Sequence, residues 1–252
     1  MKGVLHLNES LANLLKSAFD SAGSRSSEAV QTAEGLKPGE RRDAAVLFLD
    51  LAGFTKLSGG LDHETVHELA RSIMNELVLT AQDYRGYVDK IEGDRIMVLF
   101  GAVSSGENDS RTAVLCGFRM LDVLRVAREV LKESGMELGA RIGISSGPLT
   151  VAPDAIGHLT AMGNTVNIAS RMEELAELDS ILVTDRVHRM CGGCALWSPP
   201  LELDVKGMGE PVIAWRALKP LRASCESCDD DPFTGRRMES GRLCGFLEEV
   251  EK

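Results

Sequence analysis

No apolar run in this sequence approaches the ~18–20 residues needed to cross a bilayer, so a spanning helix is not expected. The first residues, Met1 to Glu9, meet a polar side chain too early for the apolar stretch of a signal peptide. A cytoplasmic location with reduced thiols is the expectation that follows. Net positive charge is missing too: the formal charge is −10, which argues against a nucleic-acid groove and for good solubility. There is no repeat of solenoid type. What remains, over 252 residues, is an ordinary globular composition with enough chain to bury a sizeable core.

Six cysteines are present: Cys116, Cys191, Cys194, Cys225, Cys228 and Cys244. Cys191/Cys194 and Cys225/Cys228 form two C-x-x-C pairs, which together offer a four-thiolate zinc site. Their separation exceeds that of a compact zinc ribbon, and one pair falls inside the main domain. Unligated thiols are the preferred reading.

Three segments differ in character. Residues 1–37 begin with an amphipathic stretch carrying Leu11, Leu14, Leu15 and Phe19 near helical spacing, then a Ser/Ala/Gly-rich linker. Such a helix serves either dimerisation or signal coupling, or it is a surface helix. Residues 38–218 alternate strongly: a strand at 44–50, a helix from Asp62 to Tyr84, a hairpin of strands 87–92 and 95–100, a helix from Ser110 to Glu133, and a strand at 138–145. The order β-α-β-β-α-β predicts an α+β fold with a ferredoxin-like core, an antiparallel sheet carrying both helices on one face. A short arm to about 160, a helix over 165–178, a strand at 180–184, a short helix at 185–190 and late strands at 201–205 and 211–217 complete it. Residues 219–252 form an acidic, Cys-containing linker and a charged tail.

Two carboxylates stand at the ends of buried strands in this frame. Asp50 closes Ala44-Ala45-Val46-Leu47-Phe48-Leu49, and Asp94 opens Arg95-Ile96-Met97-Val98-Leu99-Phe100. With a Gly53-Phe54-Thr55 turn beside them, they suit two metal ions and a triphosphate. A plain strand-end carboxylate is the alternative for Asp50 taken alone.

Five ordered blocks then carry a family resemblance: Leu47 to Thr55, Val88 to Asp94, Arg141 to Gly147, Met162 to Met172 and Leu203 to Gly207. Together they resemble the catalytic domain of class III nucleotidyl cyclases, the adenylate and guanylate cyclases. The resemblance implies that Asp50 and Asp94, with Leu51, hold two Mg²⁺ or Mn²⁺ ions, and that Gly53, Phe54 and Thr55 cradle the phosphates. It makes Lys90 the base-reading residue, whose ammonium donates to the adenine N1 acceptor. The second base-reading position falls on Thr160, as in the subgroup of bicarbonate-responsive soluble cyclases. Asn167 is assigned to the ribose, Arg171 to the charge developing at the α-phosphate, and Lys206 to the terminal phosphates. A surface salt bridge is the alternative for Lys90, and a helix-surface pair with Glu173 or Glu174 for Asn167 and Arg171.

The expected activity is therefore conversion of ATP to cyclic AMP and pyrophosphate, in a homodimer with two composite sites. GTP as substrate and a non-catalytic nucleotide-binding module are the alternatives. A diguanylate cyclase would need a Gly-Gly-Asp/Glu-Glu-Phe-like hairpin, whereas this hairpin reads Glu92-Gly93-Asp94-Arg95. Pro148 stands where some family members place a phosphate-binding Arg, and Ala152 where a Gly is common. In the tail, Asp231 to Glu239 is similar to the opening of a P-loop ATPase module, but no Gly-x-x-x-x-Gly-Lys-Ser/Thr follows. A longer parent protein with regulatory or ATPase domains is the expectation.

Overall fold

Ala44 to Leu49 is an unbroken apolar run, and all of it is buried in the computed structural model, which describes residues 14, 15, 17–19, 39–53, 63–103, 105–106, 108–131, 138–153, 159–204 and 209–221. A strand buried throughout needs cover on both faces. The two sets of alternate residues in β1 (Glu40–Ala52) find different partners. Ala45, Leu47, Leu49 and Leu51 join one core, whereas Ala44, Val46 and Phe48 join another on the opposite face. Leu47 and Leu49 are fully buried, and each such side chain contributes roughly 1.5–3 kcal/mol.

The first core lies under α1 (His63–Asp83) and α2 (Asp109–Leu131). Leu69, Ile73 and Leu77 of α1 and Val114, Met120 and Leu124 of α2 recur at helical spacing and pack there. Leu15 and Phe19, near the start of the chain, are buried in the same core, while Leu14 is exposed.

Strands β2 (Tyr87–Glu92), β3 (Arg95–Phe100) and β4 (Gly139–Pro153) join β1 in the order β2-β3-β1-β4, all antiparallel. With α1 and α2 on one face, this is the expected ferredoxin-like core. The sheet continues through β6 (Ser180–Thr184), β9 (Val212–Pro220) and β7 (Ala195–Trp197), with β5 (Leu159–Met162) on β4 and β8 (Leu201–Leu203) on β9. The β4–β6 pair is parallel, so the whole sheet is mixed. The short helix α4 (Asp185–Met190) follows β6 and buries Val187 in the first core.

Two expectations are corrected. The strand expected at 138–145 does not stop before Gly147-Pro148 but runs to Pro153, and the arm beyond it returns as β5. Pro148 sits opposite Asp43, within the β1–β4 ladder that continues to Glu40. The late strands also shift, to 201–203 and 212–220, and β7 is an additional one.

The opposite face is covered by α3 (Asn164–Leu175). Its Ala169 packs with Phe48, Met97 and Leu149, and its Met172 with Leu182 and Ala214. Gly143 of β4 makes the close approach possible. A Cβ there would stand 2.0 Å from Glu173 N and 2.5 Å from Ala169 O, so only hydrogen fits between strand and helix. The first turn of α3 is pinned where the Thr165 hydroxyl donates to the Pro148 carbonyl at 2.7 Å.

Candidate active site

Asp50 belongs to the even-numbered set of β1, so its side chain is on the α3 side of the sheet with Phe48. Asp94 occupies the two-residue connection Gly93–Asp94 between β2 and β3. The Leu51 N–H donates to the Asp94 carbonyl at 3.0 Å, tying the hairpin turn to the end of β1. That bond brings the two aspartates to one corner of the sheet. Gly53, just beyond, takes φ of 110°, a left-handed value that glycine accommodates without strain.

In the ladder, Asp50 lies opposite Arg95 on β3 and Arg141 on β4. Arg141 Nη1 stands 3.9 Å from Asp50 Oδ2. Partial burial pushes the Asp50 carboxyl above the usual carboxylate range, and the Asp94 charge adds to this, against Arg95 and Arg141. Two carboxylates with that mutual repulsion form a cation-seeking corner. Among the described residues there is no cluster of three or more His, Cys, Asp or Glu able to hold a metal. Asp50 and Asp94 therefore offer a partial set of hard oxygen donors, and the Leu51 N–H is taken by the Asp94 carbonyl. Such donors fit Mg²⁺ or Mn²⁺, which complete their spheres with water and phosphate oxygens.

Lys90 reaches the same side of the sheet through a β-bulge. The register jumps between Val88, paired with Val98, and Lys90, paired with Met97. The extra residue is Asp89, and Lys90 thereby faces the same way as Met97, in the second core, rather than the way of Ile96 under α1 and α2. The Asp89 carboxylate is 1% exposed and accepts from the Thr160 hydroxyl at 2.8 Å and from the Ala161 N–H at 2.9 Å. Thus β5, which pairs with β4 in the ladder, also meets the bulge of edge strand β2. Lys90 and Thr160, far apart in sequence, are brought together by the residue between them in space.

Asn167 and Arg171 share the outward face of α3, opposite the buried Thr165, Ala169, Met172 and Glu173. Asn167 is exposed, and Arg171 Nη1 contacts Glu174 Oε2 at 2.5 Å in a half-exposed pair. The structure does not turn these two side chains toward Asp50 and Asp94 of their own chain. Phe54, Thr55 and Lys206 lie outside the described residues, as do Cys225, Cys228, Cys244 and the tail that resembles an ATPase opening.

Two supporting residues have no role assigned from sequence, and a third, Glu173, is a buried partner of Arg95 rather than a helix-surface partner of Arg171, which pairs with Glu174. Asp89 is one. Arg95 is the second: its guanidinium lies 4.5 Å over the Phe48 ring, donates to Ser170 Oγ at 2.7 Å and meets Glu173 at 2.6 Å. Glu173, the third, is 4% exposed and is pushed up to about 7, chiefly by burial, with Arg95 opposing. Its only visible sign in the sequence is a carboxylate on the apolar stripe of α3. Cys191 and Cys194 are free thiols buried in the first core; a mutual hydrogen bond and burial raise the one, and the same bond lowers the other.

Comparison with known proteins gives a consistent picture. The model of the "Adenylate and Guanylate cyclase catalytic domain" family matches residues 36–213. The germination-specific adenylate cyclase of Dictyostelium discoideum is 32% identical over 167 residues, covering 64% of this chain and 19% of that protein. An adenylate cyclase of Mycobacterium bovis is 31% identical over 192 residues, covering 70% of this chain and 41% of the relative. The chain thus spans well under half the length of these curated relatives. Among solved structures, the adenylyl cyclase CyaB from P. aeruginosa superposes with a TM-score of 0.70 at 30% identity, over 74% of this chain and 98% of that one. The guanylyl cyclase Cya2 follows at 0.68 and 27%, over 74% and 97%.

Proposed function

This chain belongs to the adenylate and guanylate cyclase catalytic domain family, and from that premise we propose that it is an adenylate cyclase, converting ATP to 3′,5′-cyclic AMP and pyrophosphate at the interface of a homodimer. The observation that carries the dimer is the outward direction of Asn167 and Arg171 on α3, away from the face that holds Asp50. In the arrangement the family resemblance implies, one protomer supplies Asp50 and Asp94 while its partner supplies Lys90, Thr160, Asn167 and Arg171. Exposed Ile91, Met162 and Leu175 add apolar surface on the elements that carry these residues.

In the reaction the ribose 3′-oxygen attacks the α-phosphorus, the 3′-hydroxyl gives up its proton, and the bond to the pyrophosphate oxygen breaks. Lys90 donates to adenine N1, and Thr160 accepts from the 6-amino group. Asn167 holds the ribose so that the 3′-oxygen lies in line, which converts binding into orientation. Arg171 donates to the oxygens on the α-phosphorus as charge grows there. Its present pair with Glu174 is half exposed, and such pairs are worth ~1 kcal/mol or less, so the guanidinium is easily released. Gly53, Phe54 and Thr55 present backbone N–H groups to the triphosphate, and Lys206 meets its terminal phosphates. Held by Asp50, Asp94 and the Leu51 carbonyl, two Mg²⁺ or Mn²⁺ ions would acidify the 3′-hydroxyl and neutralise the triphosphate.

The Cya2 likeness supports a guanylate cyclase as the second reading. Lys90 weighs against it, because guanine presents an N–H rather than a lone pair at N1. The extent of the curated relatives supports a longer parent protein, with residues 38–218 as its catalytic domain and 1–37 and 219–252 as flanking segments.

Complementation tests the composite site. Asp50→Ala and Arg171→Ala should each be nearly inactive, yet an equal mixture should recover about a quarter of wild-type cyclic AMP formation, because half the dimers are mixed and each has one intact site. No recovery, with subunit exchange verified, would refute the shared site. Nucleotide binding without any cyclic product from wild type would make the chain a regulatory module.

A further inference from the structure

We propose that Asp89 is a positioning residue for base selection: its buried carboxylate takes the Thr160 hydrogen, so the hydroxyl can only accept from a nucleobase, which favours a 6-amino over a 6-oxo purine. The inference rests on the reading that Thr160 borders the base. A threonine hydroxyl has one hydrogen and two lone pairs, and by rotation it ordinarily serves either kind of partner. On its own it would discriminate poorly between adenine, with an amino group at position 6, and guanine, with a carbonyl oxygen there. The structure removes that freedom.

Asp89 is placed for this by the bulge in β2, which takes it out of the ladder between Val88 and Lys90. Its side chain is 1% exposed and gripped by two consecutive residues of β5. Oδ1 accepts the Ala161 N–H at 2.9 Å, and Oδ2 accepts the Thr160 hydroxyl at 2.8 Å. Both carboxylate oxygens serve as acceptors here, so the Thr160 hydrogen points inward. Only oxygen lone pairs are left to face out. A 6-amino group can donate to them; a 6-oxo group meets them lone pair to lone pair. Lys90, the next residue, presents a donor toward N1, so donor and acceptor stand side by side in the pattern complementary to adenine.

The Ala161 N–H also dictates what Asp89→Asn would do. That N–H needs an acceptor, so the amide oxygen takes the Oδ1 place and the NH₂ takes the Oδ2 place beside Thr160. The NH₂ then donates to the Thr160 oxygen and turns the hydroxyl hydrogen outward, reversing the polarity shown to the base.

The full chain should be assayed for kcat/KM with ATP and GTP. In parallel, binding of 3′-deoxy-ATP and 3′-deoxy-GTP, which cannot cyclise, should be measured. Asp89→Asn should lose about tenfold of the adenine-over-guanine preference in both readouts, the scale of one hydrogen bond. Thr160→Val should lose a similar factor, and adding Asp89→Asn to Thr160→Val should change the ratio no further. Equal weakening of both nucleotides by Asp89→Asn, or a shift that persists undiminished in Thr160→Val, would overturn the proposal. Wild type alone gives a test free of any folding defect. A 3′-deoxy triphosphate of 6-methoxypurine, with an acceptor at N1 and an oxygen at position 6, should bind no more tightly than that of unsubstituted purine; tighter binding would mean a freely turning hydroxyl and refute the idea. If wild type makes cyclic AMP while Thr160→Val keeps its preference, the cyclase reading stands and this one falls. If neither nucleotide is turned over but binding preference still drops in Asp89→Asn, this one stands without the activity.

Discussion

Gly143→Ala should damage both stability and catalysis through one displacement. Gly143 sits in the middle of β4, paired with Phe48 on one side and Leu182 on the other, so the strand cannot yield. An added Cβ would lie 2.0 Å from Glu173 N, 2.5 Å from Ala169 O and 2.6 Å from Glu173 Cα, all backbone atoms of α3. No rotamer change relieves such contacts. Since a Cβ essentially never comes closer than 3.0 Å, the helix must retreat by at least the difference, about 1 Å, and loosen its packing through Ala169 and Met172. Overpacking of this kind costs about 1–3 kcal/mol, which lowers Tm by roughly 2–12 °C in a domain of this size. The same retreat carries Asn167 and Arg171 with it, and a 1 Å misplacement of positioning groups can cost ~10²-fold in rate. Thermal melting by circular dichroism and a cyclic AMP assay at saturating ATP read the two effects. Gly209→Ala is the control, because nothing lies within 4 Å of a Cβ there, and it should change stability by less than ~0.5 kcal/mol. A Gly143→Ala protein with wild-type Tm and rate would refute the reasoning.

Further expectations concern charge. Asp50→Asn should abolish cyclic product yet melt higher than wild type in the absence of divalent ions at neutral pH, because ionised Asp50 is disfavoured by burial and by Asp94. It should also lose most of the Tm increase that Mg²⁺ or Mn²⁺ gives wild type by binding the folded state; an undiminished increase would remove Asp50 from the metal site. Glu173 predicts a pH effect of definite sign. Its carboxyl is raised from 4.5 to about 7, so the folded state holds a proton that the unfolded state has released. That contribution is complete below about 4.5 and lost as pH rises through about 7, by at most about 3 kcal/mol. Urea melts across this window should show a shallower loss in Glu173→Gln, and parallel curves would show that Glu173 does not titrate there.

The hairpin strands 87–92 and 95–100 were legible to the residue, because a Gly93–Asp94 connection between two runs leaves little latitude. The core helices came within a few residues of their observed ends, as an apolar stripe at helical spacing defines a body better than a boundary. The strand through Gly147-Pro148 was not legible. Proline reads locally as a break, and only the tertiary partner, β1 continuing back to Glu40, shows why the strand goes on.

The order of elements, the two aspartates and the residue types that mark the family are readable from the chain alone, since these depend on local periodicity and on motifs a few residues long. Tertiary structure decided which side each functional group faces. The bulge at Asp89 sends Lys90 to the α3 side of the sheet, the Leu51–Asp94 bond joins the two carboxylates, and Gly143 lets α3 lie close enough for its far side to present Asn167 and Arg171. A pleated strand reverses its faces with every residue gained or lost, so one bulge outweighs any local propensity, and its presence is set by contacts from residues far away in the chain.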